Sequence, residues 1–263
     1  MSTPALPTFA QSTASVFQFQ WLRITRGKKL RFGVVAVLLV VIGVLAARYA
    51  GTPSEVASTF KSGVRLGFQL MLVMLLPFLF MSGAIAEEVE GRTFVYLASR
   101  PTSRAALTAG KFLAGTLAAS VLTAVGLLVL YVGCFVTTPA AMGEHFREFA
   151  RALLATELLV FSYSAICLMW GAIAVEAAGI VSALYLVVVE FAFSFVPVLK
   201  LISLNYLASA VSGDRPEPSE LFSRFEFVVP GWIATAVIVG VGFLFYGLAS
   251  LVIRMSEYRA SNA

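Results

Sequence analysis

Three carboxylates and a guanidinium stand within six residues, Glu87, Glu88, Glu90 and Arg92. Paired acids beside a cation could polarise water if a metal or a second base completed the set. The rest of such a set is missing. The single histidine, His145, sits in a polar stretch among Glu144, Arg147 and Glu148. Neither a histidine-based metal centre nor a Ser-His-Asp array can be assembled around it. Cys134 and Cys167 fall within apolar runs, with no partner ligand at a usable spacing, and read as buried thiols. The sequence has no Gly-x-x-x-x-Gly-Lys-Ser/Thr phosphate loop, so an ATP-driven role would put ATP and Mg on a partner polypeptide. No catalytic residue, metal or cofactor is expected in this chain.

The elements that carry these residues are set by composition. Of the 263 residues, 59% are hydrophobic and 13% charged, and the mean hydropathy is +0.90. Such a chain cannot hide its apolar surface in a water-soluble core. Six apolar runs are long enough to cross a bilayer as helices, at roughly 32–49, 64–85, 106–136, 149–175, 179–199 and 229–253. They are continuous and lack the period-two alternation of a barrel strand. The fold expected is therefore all-α and polytopic, with six transmembrane helices in a domain over 32–253.

The net charge of +5 reflects the flanks of these spans. No compact basic domain offers itself to nucleic acid. Arg23, Arg26, Lys28, Lys29 and Arg31 precede span one, Arg92, Arg100, Arg104 and Lys111 follow span two, and Arg254 and Arg259 follow span six. The positive-inside rule puts this side, with both termini, in the cytoplasm. Two acids fall inside the membrane, Glu157 in span four and Glu190 in span five. Buried ionisable groups face a cavity or another helix, so both are candidates for a translocation path. Glu190 has the alternative of bonding to a nearby backbone or hydroxyl group.

The N-terminal region divides at about residue 15. Residues 1–14 are rich in Ser, Thr, Pro and Ala and read as a disordered tail. Over 15–31, Phe17, Trp21 and Ile24 recur at helical spacing, with Arg23 and Arg26 among the polar positions. This is the pattern of an amphipathic helix lying in the cytoplasmic interface, anchored in lipid by those five residues. Pro77 lies inside span two, and Gly110, Ala114 and Ala118 give span three a smooth packing face. The outer segment 200–228 has apolar stretches on either side of a polar break and suits short helices at the outer interface. Residues 254–263 form a cytoplasmic tail.

The loop between spans two and three reads Ala86-Glu87-Glu88-Val89-Glu90-Gly91-Arg92-Thr93-Phe94-Val95-Tyr96-Leu97-Ala98-Ser99-Arg100-Pro101-Thr102-Ser103-Arg104. Its acids are followed by an apolar surface of Phe94, Val95 and Leu97, suited to a groove on another protein. The string resembles the cytoplasmic loop of bacterial ABC-2 type permeases, in which an acidic cluster, Gly-x-Thr, an apolar run and a Ser-Arg-Pro-x-x-Arg turn join the second and third spans. Within that family it is most similar to the group involved in maturation of copper enzymes. The resemblance implies a type V exporter-like fold with an N-terminal elbow helix, a coupling helix within 86–105 and a re-entrant segment before the last span. It assigns contact with the ATPase to Glu87, Glu88, Glu90, Gly91, Arg92, Thr93 and Phe94, with Ser99, Arg100, Pro101 and Arg104 forming the turn into span three. Implied partners are two cytoplasmic ABC ATPase subunits, which bind ATP and Mg, membrane lipid, and a second permease copy, as a homodimer or a heterodimer. The implied location is the bacterial inner membrane and the implied function is export.

Other readings compete with this one. Glu87-Glu88-Val89-Glu90-Gly91-Arg92 also fits the short Glu-Glu-x-x-x-Arg signature of intramembrane prenyl-type proteases, but that site needs histidines the chain does not have. A non-transporting ABC complex would pass force to a periplasmic partner in a pilus, gliding or division apparatus. A membrane scaffold without an ATPase is a third reading. The modest outer loops favour export over force transmission.

Overall fold

The computed structural model describes residues 8–51, 56–87, 103–192, 201–213 and 229–255. No strand occurs among them. Five helices are long and apolar enough to cross a membrane: α2 (Lys28–Ala50), α3 (Val56–Met81), α4 (Arg104–Phe135), α6 (Phe146–Ile173) and α9 (Gly231–Met255). The shorter α1 (Phe9–Arg26), α5 (Pro139–Glu144), α7 (Ala178–Tyr185) and α8 (Leu204–Ser212) fill the intervals. The expected fifth span, 179–199, corresponds to α7 and its π-helical continuation Leu186–Ala192. The remainder of that run lies outside the described residues.

The helix α1 begins earlier than its sequence suggests. Thr8 Oγ1 accepts from the Gln11 amide at 3.3 Å while Gln11 Oε1 accepts from the Thr8 amide at 3.0 Å. This reciprocal capping box satisfies donors that a helix start otherwise leaves open. Residues 9–14, expected in a disordered tail, are therefore helical. The boundary between α1 and α2 also shifts, from residue 31 to Gly27, whose extended backbone (φ −80°, ψ 159°) breaks the helix. A Cβ there would lie 2.8 Å from the Arg23 carbonyl oxygen, so the bend suits glycine.

The helix α6 is the axis of the bundle. It packs on α3, α4, α8 and α9, and 72% of its apolar window is buried, against 17% for α2. The α2 helix turns Val35, Leu38, Leu39 and Ile42 outward, as a lipid-facing helix does. The α6–α9 contact is close enough that a Cβ on Gly242 would lie 2.4 Å from the Phe161 ring. Ser162 Oγ donates to the Ile238 carbonyl across the same seam at 2.8 Å.

The helix α3 is irregular. Gly63–Leu72 within it is π-helical, and Pro77 lies a few residues further on. Lacking an N–H, Pro77 leaves the Val73 carbonyl without its usual helical donor. With 32 residues, α4 is about 48 Å long at the helical rise, longer than the apolar layer requires. Its N-terminal turns meet α1 instead: a Cβ on Gly110 would lie 2.7 Å from Val16 Cβ and 2.8 Å from the Thr13 carbonyl oxygen. Ala114 and Ala118, on the same small-residue face, are buried.

Candidate functional site

The charged segment joins the end of α3 to the start of α4. Both points are fastened to other helices. At the departure, the Glu87 carboxylate accepts from Arg23 Nη2 of α1 at 2.6 Å and from Lys29 Nζ of α2. The break at Gly27 holds Arg23 and Lys29 to either side of this one carboxylate. At the return, Ser103 Oγ accepts from the Ala106 amide at 3.2 Å and caps α4. Arg104 Nη1 reaches across to the last helix and donates to the carbonyls of Ile253 (3.3 Å) and Arg254 (3.1 Å). A cation at the C-terminal end of α9 meets carbonyls that have no donor within their own helix and the negative end of its dipole.

Between these posts, Lys111 of α4 is 1% exposed, and its ammonium donates to the Ala84 carbonyl at 2.5 Å. A Cβ on Gly171 of α6 would lie 2.4 Å from the Ser82 carbonyl oxygen. The end of α3 is thus pressed between α4 and α6. In the sequence Lys111 and Lys29 stand only as charges flanking the spans; their partners are distant in the chain, and no spacing rule finds them. Glu88, Glu90, Gly91, Arg92, Thr93, Phe94, Ser99, Arg100 and Pro101 lie outside the described residues.

The expected lipid anchors behave differently from their pattern. Phe17 and Trp21 stack at 6.0 Å between ring centroids and pack against the core, while Ile24 is 5% exposed. The stripe faces the bundle, where the overlong α4 supplies apolar surface for it, and Phe17 and Trp21 stay half-exposed. Phe19 and Leu22 are the outward apolar residues of this stretch. Arg26 is exposed and Arg23 holds Glu87.

The two intramembrane acids part company. Glu157 of α6 is half-buried, with Thr123 Oγ1 of α4 at 3.1 Å from its Oε1. Glu190 is fully enclosed. Its Oε2 accepts from Tyr163 Oη (2.8 Å), Ser203 Oγ (3.1 Å) and the Leu204 amide (2.9 Å), with the Asn205 amide at 3.4 Å. Those amides open α8, so Glu190 acts as a remote cap that ties the π-helical end of the fifth run to the outer short helix. Glu190 thus has the hydroxyl and backbone partners that were its alternative to a place on a path. Tyr163 and Ser203 were not singled out from sequence, since neither is near Glu190 in the chain.

A comparison with curated proteins gives no match. The sequence model of one family, described as ABC-2 family transporter protein, matches residues 16–194. That stretch runs from within α1 through all the described residues of the fifth apolar run. The match is to the family as a whole and does not single out the copper-enzyme maturation group. The family agrees with the multi-pass helical bundle and with the charged loop from which the resemblance was first drawn, and the chain belongs to the ABC-2 family of transporter proteins, as the membrane-embedded permease subunit of an ABC transporter.

Proposed function

We propose that this permease couples ATP hydrolysis by two cytoplasmic ATPase subunits to export across a bacterial inner membrane, as a dimer with a second copy of itself and with both termini in the cytoplasm. One observation carries the coupling role: the segment 88–102 is bounded by Glu87, held by α1 and α2, and by Arg104, held on α9. A push on the segment from below would reach α1 and the two membrane helices α2 and α9 at once through these charged contacts. Phe94 and the neighbouring acids would supply the docking surface for the ATPase, and Glu157 a polar point on the path between the two copies.

The contacts at Glu87 are about one third exposed on each side, so they add little to stability, on the order of 0–1 kcal/mol. Their value in this reading is mechanical. In proteoliposomes containing the permease with its co-purifying ATPase, Glu87→Lys and Arg104→Ala are expected to leave the ATPase bound. The stimulation of ATP hydrolysis by the permease should fall several-fold. Adding Arg23→Glu to the Glu87→Lys variant should recover part of it. Undiminished stimulation in both single variants would contradict the coupling role of the two posts.

A further inference from the structure

At the end of the bundle opposite Glu87 and Arg104, α3, α6 and α8 line a half-open cavity of about 90 Å³ whose walls include Lys61, Gln69, Glu148, Arg151 and Gly213. A space of that size holds a few waters or one phosphate-sized group. Its charges are unevenly matched. Glu148 accepts from Lys61 Nζ at 3.1 Å and lies 3.0 Å from His145 Nδ1, which occupies both of its oxygens. Arg151 is exposed and has no hydrogen-bond or ion-pair partner among the described residues. A Cβ on Gly213, which closes α8 with φ +79°, would lie 3.5 Å from an Arg151 guanidinium nitrogen. Gln69, on the π-helical stretch of α3, is 1% exposed, and its Nε2 has no partner among the described residues. A buried amide without a partner is costly. Gln69 lines the same space as Arg151, whose guanidinium has no partner among the described residues.

We propose that this cavity is an anion site for a phosphate-type oxyanion, held by Arg151 and Lys61 with the Gln69 amide at its inner wall. A guanidinium fork binds phosphate through paired hydrogen bonds. A tetrahedral acceptor also presents oxygens in several directions, and so can take donors from α3 and α6 together. Among the described residues that line the cavity, two cations stand against one carboxylate, and a bound anion would offset the excess. The phosphate can come from solution or from a phospholipid headgroup. The site does not depend on the transport reading.

The test uses the full-length protein and two probes. In detergent, inorganic phosphate is expected to raise the thermal unfolding midpoint over sodium chloride of equal ionic strength. The half-saturating concentration should rise at least tenfold in Arg151→Gln, less in Arg151→Lys, and not at all in Arg147→Gln. Gln69→Leu should resemble Arg151→Gln; should it fail to fold, the exposed Arg151 variants decide alone. Repeating the titration in phosphatidylcholine nanodiscs distinguishes the sources. An effect that persists there marks a site for soluble phosphate. An effect that disappears, with phospholipid retained by wild type and lost by Arg151→Gln in native mass spectrometry, marks a headgroup site. Equal phosphate dependence in wild type and Arg151→Gln, or no phosphate dependence and no retained phospholipid, would overturn the proposal.

Discussion

Glu157 and Glu190 occupy similar positions in the sequence, each a lone acid in an apolar run, yet the fold gives them opposite surroundings. Around Glu190 four donors converge on one carboxylate oxygen, whereas the half-buried Glu157 meets the hydroxyls of Ser120 and Thr123 on α4. Removing the Glu190 acceptor leaves buried donors unsatisfied, at roughly 1–3 kcal/mol for each that finds no other partner. Glu190→Ala is therefore expected to lower the unfolding midpoint in detergent strongly. Glu190→Gln, which keeps an amide oxygen for the same donors, should lose much less. Equal behaviour of the two variants would show that the hydrogen bonds at α8 do not hold the outer segment. The presence of an acid in each span was legible in the sequence. Which acid was enclosed was not, because the donors to Glu190 come from α6 and from the start of α8, thirteen residues or more away in the chain.

Among the helices, close approach is made possible by small residues, and the two kinds of neighbour they meet should be separable. A Cβ on Gly171 would press on the backbone oxygen of Ser82 at 2.4 Å, whereas one on Gly115 would press on the Met81 side chain, with its sulfur at 2.1 Å. Alanine gains about 1 kcal/mol over glycine within a helix, and overpacking costs about 1–3 kcal/mol where nothing can yield. Gly171→Ala is thus expected to be destabilising, since α6 must move away from α3, while Gly115→Ala should be near neutral, because a methionine can adopt another rotamer. Thermal unfolding of the two variants side by side checks this. The small-residue face of α4 was readable from its four-residue spacing, but its partner was not: Gly110 receives α1. For the same reason the stripe of Phe17, Trp21 and Ile24, amphipathic by any reading of its period, could not declare whether lipid or protein would cover it. Local capping by Thr8 and Gln11 also outweighed the disordered composition of residues 9–14.

For the molecule as a whole, the apolar runs and their flanking charges were enough to give an all-helical membrane bundle. Five crossing helices and the helical start of the fifth run follow that layout. The loop motif pointed to the ABC-2 family, and the match over residues 16–194 shows the same family. What the sequence could not convey is the bracing of the loop. Glu87 and Arg104 join its two ends to α1, α2 and α9, helices that are far apart in the chain. On the reading proposed above, the permease is a frame braced at the two ends of one charged segment, and a partner ATPase would move it. The most direct measurement is co-purification of the permease with cytoplasmic ATPase candidates in mild detergent, comparing wild type with the Glu88→Lys, Phe94→Ala double substitution. The account predicts an ATPase retained by the wild type and lost by the folded double variant. Equal retention by both, or no association with folded wild type, would contradict it.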